Sequence, residues 1–472
     1  MHTFHHAYID GRFVPVQGTT VLHSVNPATE EPLGHTTLAN RDDARQAIAA
    51  AKRAQALLGR SSKAERIDML QQLEAAVLAH ADQIRDVTIE EYGGPLARAQ
   101  WVSQYASQCF ARTAELLRGY DFSRRVGDSL VRMEPVGVAA LIAPWNSVAG
   151  TVCSKLASAI AAGCASVIKP SELSPWQTEV TAQALHAAGL PGGVFNILLG
   201  RGEDVGDELV THPDVARISF TGSTPTGQAI VRAAAGTIKR VGLGLTGKCA
   251  AIVLDDADLP QAIEQALACA FMNNGQACVA GTRLLVPAHR LTEVLALVQR
   301  QVAALRVGDP RDAETAIGPL ASRAQYERIQ HYIRRGLEQG ATLVAGGEGR
   351  PEGLAKGYFV RPTVFAHVHN GMDIAREEIF GPVLSILSYA DDADAIALAN
   401  DSAYGLQAYV FSRNRDRALA VAERLDAGAV LINRTLPDPL APFGGMKQSG
   451  LGRESGLFGL ESFLEPKAIV GA

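Results

Sequence analysis

The spacing of apolar residues predicts long helices near the start of the chain and alternating strands and helices after them. Residues 41–59 and 62–92 are rich in alanine and carry apolar side chains at helical spacing, so each predicts an amphipathic helix. The apolar run 137–144 then predicts a buried strand. Residues 154–163 predict a helix that ends at its C-terminal glycine.

The alternation continues as far as residue 223. Ser174 and Pro175 are typical of the N-cap and the first position of a helix. Connections this short imply right-handed crossovers and a parallel sheet, which is the pattern of a dinucleotide-binding fold. The predicted strands are 164–170, 193–200 and 215–223, and the predicted helices are 174–189 and 203–213.

A second alternating unit begins after Gly247. Because it repeats the same pattern, it is also predicted to be α/β, and it would meet the first unit at a cleft where ligands tend to bind. Its predicted strands are 249–256, 283–288, 382–389 and 409–413, and its predicted helices are 258–271, 288–305 and 392–402.

Composition narrows the class of protein without identifying it. A net charge of −5 offers no basic face to nucleic acid, and the sequence has no run of about 18 apolar residues that would predict a membrane span. The N-terminal residues lack the layout of a secretory signal. The six cysteines show neither CxxC spacing nor histidine clusters, which argues against a metal site or a disulfide framework. We therefore expect a soluble protein of the reducing cytoplasm.

Cys278 is the strongest candidate for a nucleophile. It follows the short polar segment 273–277, whose small residues let the backbone approach a reacting carbon and leave the sulfur accessible. Neighbouring amides would hold an oxyanion. The ordinary alternative for a free cysteine is a buried, inert thiol, and we expect that role for the other five.

Six short motifs occur in order along the chain. Together they resemble the NAD(P)-dependent aldehyde dehydrogenase superfamily, over nearly the whole sequence from about Asn26. Each motif alone would be weak, but six in this order identify the chain as similar to that family. They are PWN (144–146), IKPSE (168–172), FTGS (220–223), GQAC (275–278), EEIFGPV (377–383) and PFGG (442–445).

The resemblance implies the aldehyde dehydrogenase fold, an α/β architecture with a Rossmann-like cofactor domain, an α/β catalytic domain and a small β extension for oligomerisation. The cofactor domain would take residues 1–116 and 136–246, and the catalytic domain 247–442. The extension would take 117–135 and 455–472. Its strands would cover the sheet edges of a partner and give a homodimer or a homotetramer.

The resemblance also implies NAD as the cofactor. Glu172 follows a strand end, where open α/β sheets bind nucleotides, and would bind the adenosine ribose while repelling a 2′-phosphate. Ser223 would meet the pyrophosphate at a helix start. A solvated surface pair is the alternative for Lys169 and Glu172. The positions that match cofactor contacts are Trp145, Lys169, Ser171, Glu172, Gly222, Ser223, Glu378 and Phe380.

The catalytic positions of the family are present with one exception. Asn146 matches the side-chain donor of the oxyanion hole, beside the backbone N–H of Cys278, although it could also serve to close its turn. The general base lies in a strand that usually reads Leu-Glu-Leu-Gly-Gly-Lys. This chain reads LGLTGK at 243–248, so Gly244 stands where the glutamate is expected.

Three explanations for Gly244 stay open. Glu454 and Lys155 match family residues behind the base in a proton path, and a water in the gap would link Glu454 to the thioester. Alternatively, coenzyme A rather than water accepts the acyl group. Finally, the enzyme is slow, vestigial or an engineered inactive variant.

The helix after Asn146 matches the family's substrate tunnel. Its residues are small where bulky apolar side chains are common, so we predict a wide tunnel for a bulky aldehyde. Close packing against a neighbouring helix is the alternative. Arg434 would lie at the tunnel mouth, where it would meet a substrate carboxylate or simply lie on the surface. The small tunnel residues are Ser147, Gly150, Thr151 and Ser154.

These expectations combine into one reaction. The chain would oxidise an aldehyde to its carboxylic acid with NAD, through a thiohemiacetal and a thioester on Cys278, with release impaired or carried by a substitute base. The alternatives are an aldehyde dehydrogenase that acylates coenzyme A, an NAD-binding protein without turnover, and an esterase-like acyl-transfer enzyme.

Overall fold

The computed structural model describes residues 2–471 and divides most of them between two open sheets with flanking helices. The α-helices are Arg41–Leu58, Lys63–Ala79, Ala81–Val87, Leu96–Gly119, Val148–Ala162, Pro175–His186, Asp207–Thr211, Thr224–Ala234, Leu259–Phe271, Leu291–Ala303, Arg323–Glu338, Asp373–Arg376, Asp392–Asn400, Arg415–Ala422 and Gly456–Glu461. The π-helical turns are Thr88–Tyr92 and Gly202–Gly206, and the 3-10 turns are Ala235–Thr237, Met272–Gly275 and Ala288–Arg290.

The first large sheet has eight strands, and its five central strands are parallel, which confirms the parallel sheet predicted from the alternation. Antiparallel strands, which the sequence did not predict, close both edges. In spatial order the strands are Gly450–Leu451, Arg240–Gly244, Val215–Thr221, Val138–Ile142, Ser166–Lys169, Phe195–Ile197, His6–Ile9 and Arg12–Pro15.

The second large sheet has seven strands and a separate core on each face. Alternate residues of Ala250–Val253 point to opposite faces, so Ile252 enters one hydrophobic cluster and Ala251 the other. This burial on both faces is expected for parallel strands. In spatial order the strands are Thr342–Ala345, Thr363–Ala366, Val383–Tyr389, Arg283–Pro287, Ala250–Val253, Gln407–Phe411 and Ala429–Ile432.

Smaller sheets complete the described part of the chain. They are an N-terminal three-stranded sheet, a two-stranded ribbon and a second three-stranded sheet that includes the C-terminal strand. Their strands are His2–Phe4, Pro32–Thr37 and Val21–Val25; Tyr404–Gly405 and Met446–Lys447; and Leu464–Val470, Ser129–Pro135 and Ser123–Val126.

The predicted helix at 62–92 is wrong as a single element. Ser62 begins it with a capping box that involves Glu65, but the segment breaks at His80 and ends in the turn Thr88–Tyr92. The final turn widens to π geometry before Gly93, whose left-handed backbone ends it. The predicted helix at 203–213 is likewise part π-helical.

The helix Pro175–His186 has Ser174 at its N-cap position, as predicted, but the serine side chain makes no cap hydrogen bond. The buried carboxylate of Glu91 takes that role and accepts the backbone N–H groups of Trp176 and Gln177 at 3.0 and 2.9 Å. Burial raises the pKa of Glu91 to about 7. The carboxylate comes from a distant segment, so local sequence does not reveal this cap.

The sheet formed by Ser123–Val126, Ser129–Pro135 and Leu464–Val470 lies within the segments predicted to form the β extension. The ends of those segments also include parts of Leu96–Gly119 and the helix Gly456–Glu461. Residues 1 and 472 lie outside the described residues. The domain boundaries and the oligomeric role therefore stay predictions. Among residues 2–471, helices of the length and hydrophobicity needed to span a bilayer are absent.

A substitution at Gly450 tests how closely the edge strand pairs with the strand that ends at Gly244. The backbone φ of Gly450 is +145°, and a Cβ there would lie 1.9 Å from the carbonyl oxygen of Leu243. We expect Gly450→Ala to force the two strands apart, to destabilise the fold by about 1–3 kcal/mol and to lower Tm.

The matched control is Gly119→Ala. Gly119 ends the helix Leu96–Gly119, and a Cβ added there would have no neighbouring side chain or strand within 4 Å. Its Tm should stay the same or rise slightly, because alanine favours helices. Equal Tm values for the two variants in thermal unfolding would contradict the close pairing at Gly450.

Candidate active site

Cys278 follows a turn whose backbone is left-handed at three consecutive residues. Asn273, Asn274 and Gly275 have φ values of 55°, 59° and 71°. Asparagine tolerates this conformation better than most residues. Gly275 is required, because a Cβ there would lie 2.2 Å from the carbonyl carbon of Gly381. The Asn-Asn-Gly sequence therefore permits the turn that presents the thiol.

The side chain of Asn274 fastens this turn in the protein interior. Its Nδ2 donates to the carbonyl oxygens of Gly93 and Pro319, both at 3.0 Å, and its Oδ1 accepts the backbone N–H of Gly318 at 2.8 Å. Asn274 is fully buried. All of its polar atoms are thus paired, which burial requires.

Tyr92 supports the same turn from the first unit. Its hydroxyl donates to the carbonyl of Asn273 at 2.9 Å and accepts Nε2 of Gln276 at 3.1 Å. Burial raises the pKa of Tyr92, so the phenol stays neutral and able to donate. Sequence reasoning missed Tyr92, although the Asn-Asn-Gly run was a signal that its turn needed support.

Asn146 lies against the nucleophile segment, as the motif match led us to expect. Its side-chain Nδ2 donates to the backbone carbonyl of Gln276 at 2.8 Å. Its backbone carbonyl accepts Nδ2 of Asn273 at 3.2 Å. An amide nitrogen carries two hydrogens. One hydrogen of Asn146 is therefore left for another acceptor near Cys278.

Cys278 is partly exposed, whereas the other five cysteines are buried and all six are free thiols. Burial of the sulfur, and then the carboxylate of Glu378, raise the pKa of Cys278 to about 12. Cys249 contacts the same segment, and its Sγ donates to the Cys278 carbonyl at 3.5 Å. The nucleophile is therefore a neutral thiol in this state at pH 7.

Glu378 acts on the Cys278 thiol, and Phe380 lies two residues after Glu378. Oε1 of Glu378 accepts the backbone N–H of Gly247 at 3.1 Å, and burial raises the pKa of the carboxyl to about 7. The ring of Phe380 meets Trp145 edge-on, with centroids 5.3 Å apart. Three residues predicted to contact cofactor are thus gathered near Cys278.

Lys169 and Glu172 form an ion pair at the end of the strand Ser166–Lys169, with Nζ and Oε2 3.3 Å apart. The lysine side chain is 5% exposed and the glutamate 31%, so the lysine is not a solvated surface residue. Burial lowers the pKa of Lys169. The hydroxyl of Ser171 accepts the N–H of Leu173 at 3.3 Å and shapes the turn between them.

Ser223 is the N-cap of the helix Thr224–Ala234, where its Oγ accepts the N–H of Thr226 at 3.4 Å. Gly222 before it donates its N–H to the carbonyl of Gly244 at 3.1 Å. The helix N-terminus and position 244 are therefore neighbours at one edge of the first sheet.

Lys155, Ser219 and Glu454 form a buried polar cluster. Nζ of Lys155 donates to Ser219 Oγ at 2.8 Å and pairs with Glu454, and Ser219 Oγ donates to Glu454 Oε1 at 2.9 Å. The lysine side chain is 1% exposed and the glutamate 21%. Glu454 therefore keeps some access to solvent, while its partners are held inside.

Gly244 is buried and ends the strand Arg240–Gly244. A Cβ there would meet Thr221 Oγ1 at 3.4 Å and Thr221 Cγ2 at 3.9 Å, both ordinary contacts. Neither the backbone nor close packing therefore requires glycine at this position.

The predicted tunnel residues do not all leave free volume. A Cβ at Gly150 would lie 3.2 Å from the ring of Tyr105, which stacks on Trp101 with centroids 4.7 Å apart. Gly150 thus follows the close-packing alternative, because aromatic side chains from Leu96–Gly119 fill its space. Ser147, whose Oγ also approaches that position at 3.0 Å, and Thr151 are half-buried.

Ser154 does border open space. It lines a shallow cleft with a cavity volume of about 30 Å³, together with Tyr105, Cys109 and Leu440. Arg434 is exposed and is not among the residues that line this cleft. Among the four predicted tunnel residues, Ser154 is therefore the one that lines this cleft.

Comparison with known proteins supports the family resemblance that the ordered motifs indicate. The profile described as "Aldehyde dehydrogenase family" matches residues 13–469. A 3-succinoylsemialdehyde-pyridine dehydrogenase from a Pseudomonas species is 45% identical, over 100% of this chain and 99% of its own length.

Solved structures of aldehyde dehydrogenases are also similar to this chain. A mutant of aldehyde dehydrogenase C from Pseudomonas syringae, complexed with NAD+ and octanal, has a TM-score of 0.97 at 42% identity and covers 99% of this chain and 96% of its own. The NAD+ complex of an aldehyde dehydrogenase from Bacillus cereus has a TM-score of 0.94 at 36% identity, covering 98% and 96%.

The raised pKa of Cys278 predicts how its reactivity depends on pH without cofactor. Because only the thiolate is a strong nucleophile, alkylation of Cys278 by iodoacetamide should rise about tenfold per pH unit from pH 7 to 9. Mass spectrometry of the modified peptide gives the rate, and Cys278→Ala provides the background. A rate that levels off below pH 8 would show that a neighbouring group has already ionised the thiol.

Proposed function

This chain belongs to the aldehyde dehydrogenase family and is an oxidoreductase that acts on aldehydes, and from that premise we propose that it oxidises a bulky aldehyde to its carboxylic acid with NAD as hydride acceptor. One observation carries the proposal. Asn146 bonds the segment that carries Cys278, and the Glu378 carboxylate is close enough to act on its thiol, although the three residues come from distant parts of the sequence.

The residues present fit NAD. The carboxylate of Glu172 is partly exposed at a strand end and is held by the buried Lys169, which suits it to accept the two ribose hydroxyls. Glu378 and Phe380 would hold the nicotinamide half beside the thiol. Bound there, the nicotinamide accepts the hydride that leaves the aldehyde carbon. Relatives with NAD+ in their structures support the same assignment.

The residues that would capture the aldehyde are present. The thiol of Cys278 gives its proton to solvent water, and the sulfur then adds to the carbonyl carbon, so the negative charge moves to the carbonyl oxygen. The free N–H of Asn146 and the backbone N–H of Cys278 would hold that oxyanion, and loss of one such donor typically costs about 10²–10³ in rate. Departure of hydride then leaves a thioester on the sulfur.

Release of the acid depends on a proton acceptor that position 244 lacks. Water must lose a proton as it attacks the thioester, and a positioned base is worth about 10²–10⁴ in rate. We propose that Glu454 supplies this function slowly, through water in the space beside Gly244. The partial exposure of Glu454 and the lack of a side chain at Gly244 support this route.

The proposed substrate is bulky. The small side chain of Ser154 beside a cleft supports a substrate with a long chain or a ring. A relative is named for a pyridine-bearing semialdehyde, and the Pseudomonas syringae enzyme holds octanal. We further propose that the exposed strand Leu464–Val470 pairs with a second copy of the chain in a homodimer or homotetramer.

Restoring a carboxylate at position 244 tests the release step. We expect Gly244→Glu to leave the NADH burst of the first turnover intact and to raise steady-state turnover by about 10²–10⁴. Gly244→Gln is the matched control, since it adds the same volume without a base and should not raise turnover. Stopped-flow absorbance of NADH separates the burst from the steady state.

The same experiment judges the other routes. Turnover by Gly244→Glu that is unchanged or lower would refute the missing-base account. Sustained turnover of the wild type only with coenzyme A would assign acyl transfer instead, and no burst with any aldehyde would leave an NAD-binding protein. If Glu454 is the base, Glu454→Gln keeps the burst and slows the steady state.

The width of the tunnel is tested by filling it. We expect Ser154→Trp to raise KM for octanal and for aromatic aldehydes at least about tenfold, because the indole would occupy the cleft. Acetaldehyde is the internal control and should be affected much less. A wild type that prefers acetaldehyde over larger aldehydes would contradict the wide tunnel.

A further inference from the structure

Arg98 is a cation near the nucleophile that no carboxylate balances. It lies on the helix Leu96–Gly119, and its Nε donates to Oδ1 of Asn273 at 3.2 Å. Within residues 2–471, Arg98 takes part in no ion pair, and its four terminal N–H hydrogens have no acceptor among the described side chains and carbonyls.

The groups that act electrostatically on Arg98 are not ionised at neutral pH. They are Tyr92, Tyr105 and the Cys278 thiol, and burial is the main cause that lowers the pKa of the guanidinium. The pKa values of both tyrosines are raised, Tyr92 by burial and Tyr105 first by the neighbouring Cys109. All three partners are therefore neutral at pH 7, and the positive charge is uncompensated.

The guanidinium also has a defined orientation. It lies over the ring of Trp101, 4.3 Å from its centroid, and Trp101 stacks on Tyr105 at an interplanar angle of 10°. With Nε fixed on Asn273, stacking holds the plane of the group and leaves its two terminal nitrogens on one edge. A planar edge with paired N–H groups matches the two oxygens of a carboxylate.

The position of this edge relates it to substrate. Tyr105 packs against Gly150 on the helix that follows Asn146, and Arg98 is close enough to Cys278 for the two side chains to interact electrostatically. The guanidinium and the aromatic pair therefore lie near both residues. A partly buried cation without a partner is unfavourable, and an arriving anion would remove that cost.

We propose that Arg98 binds the carboxylate of a substrate that carries an aldehyde and an acid group in one molecule, an ω-oxo acid. Trp101 and Tyr105 pack along the carbon chain or ring between the two groups. The inference rests on the proposed function and deepens it, because it names the class of aldehyde. It assigns to Arg98 the carboxylate-binding role that was one of the two alternatives for Arg434, which is exposed.

The test compares ω-oxo acids with unsubstituted alkanals of equal chain length. For the wild type we expect kcat/KM to favour the acids by about 10- to 100-fold, the range for a charged hydrogen-bonded pair. Arg98→Gln should abolish the preference by raising KM for the acids, whereas lost support of Asn273 would lower kcat equally for acids and alkanals. Arg98→Lys, which keeps the charge without the planar edge, should lie between.

Arg118→Gln is the matched control, because Arg118 lies on the same helix but is exposed and paired with Glu115. It should keep the wild-type preference. If Arg98→Gln lowers kcat/KM equally for acids and alkanals, Arg98 only positions Asn273, and the proposal is wrong. A wild type that shows no preference for acids would also overturn it.

A binding measurement separates this proposal from the proposed function. Calorimetric titration with unreactive dicarboxylates should show binding to the wild type and a loss of about 10-fold or more in Arg98→Gln. Binding that depends on Arg98 in a protein without turnover would retain the carboxylate site and reject the oxidation. Turnover of aldehydes without such binding would retain the oxidation and reject the site.

Discussion

The active site depends on one strained piece of backbone, the left-handed turn at Asn273, Asn274 and Gly275. Residues held in this conformation cost of order 1–3 kcal/mol each when they are not glycine. The surrounding structure offsets that cost with buried hydrogen bonds from both asparagine side chains. The turn ends directly before Gln276 and Cys278, so its stability sets the position of the sulfur.

The same turn connects every group that the chemistry needs. Asn273 binds the carbonyl of Asn146 and the guanidinium of Arg98, both from the first unit. Gly275 packs against Gly381, which follows the segment that holds Glu378. The proposed nucleophile, oxyanion donor and nicotinamide contacts thus share one support. A shift of the turn would displace all of them together, which makes its rigidity a condition for catalysis.

Most of the fold and the central site followed from sequence because their signals are local or ordered. Buried parallel strands are short apolar runs, and the motifs around Cys278 and Asn146 are contiguous. The Glu91 cap, the packing of Tyr105 on Gly150 and the isolation of Arg98 depend on contacts between segments far apart in the chain. Arg98 occupies an ordinary polar position of a helix, and only the absence of an anion near it distinguishes it.

We propose that the glycine at position 244 slows the second half of the reaction more than the first. The cluster of Lys155, Ser219 and Glu454 is present, and a Cβ at position 244 would make only ordinary contacts with Thr221. Position 244 itself offers no proton acceptor. Capture can pass the proton of the neutral Cys278 thiol to solvent, whereas release needs a base beside the attacking water, so the acyl-enzyme should be the longest-lived state. A carboxylate held by Arg98 would then stay bound through that state, and the cation that selects the substrate would also retain the acyl group until water reaches it.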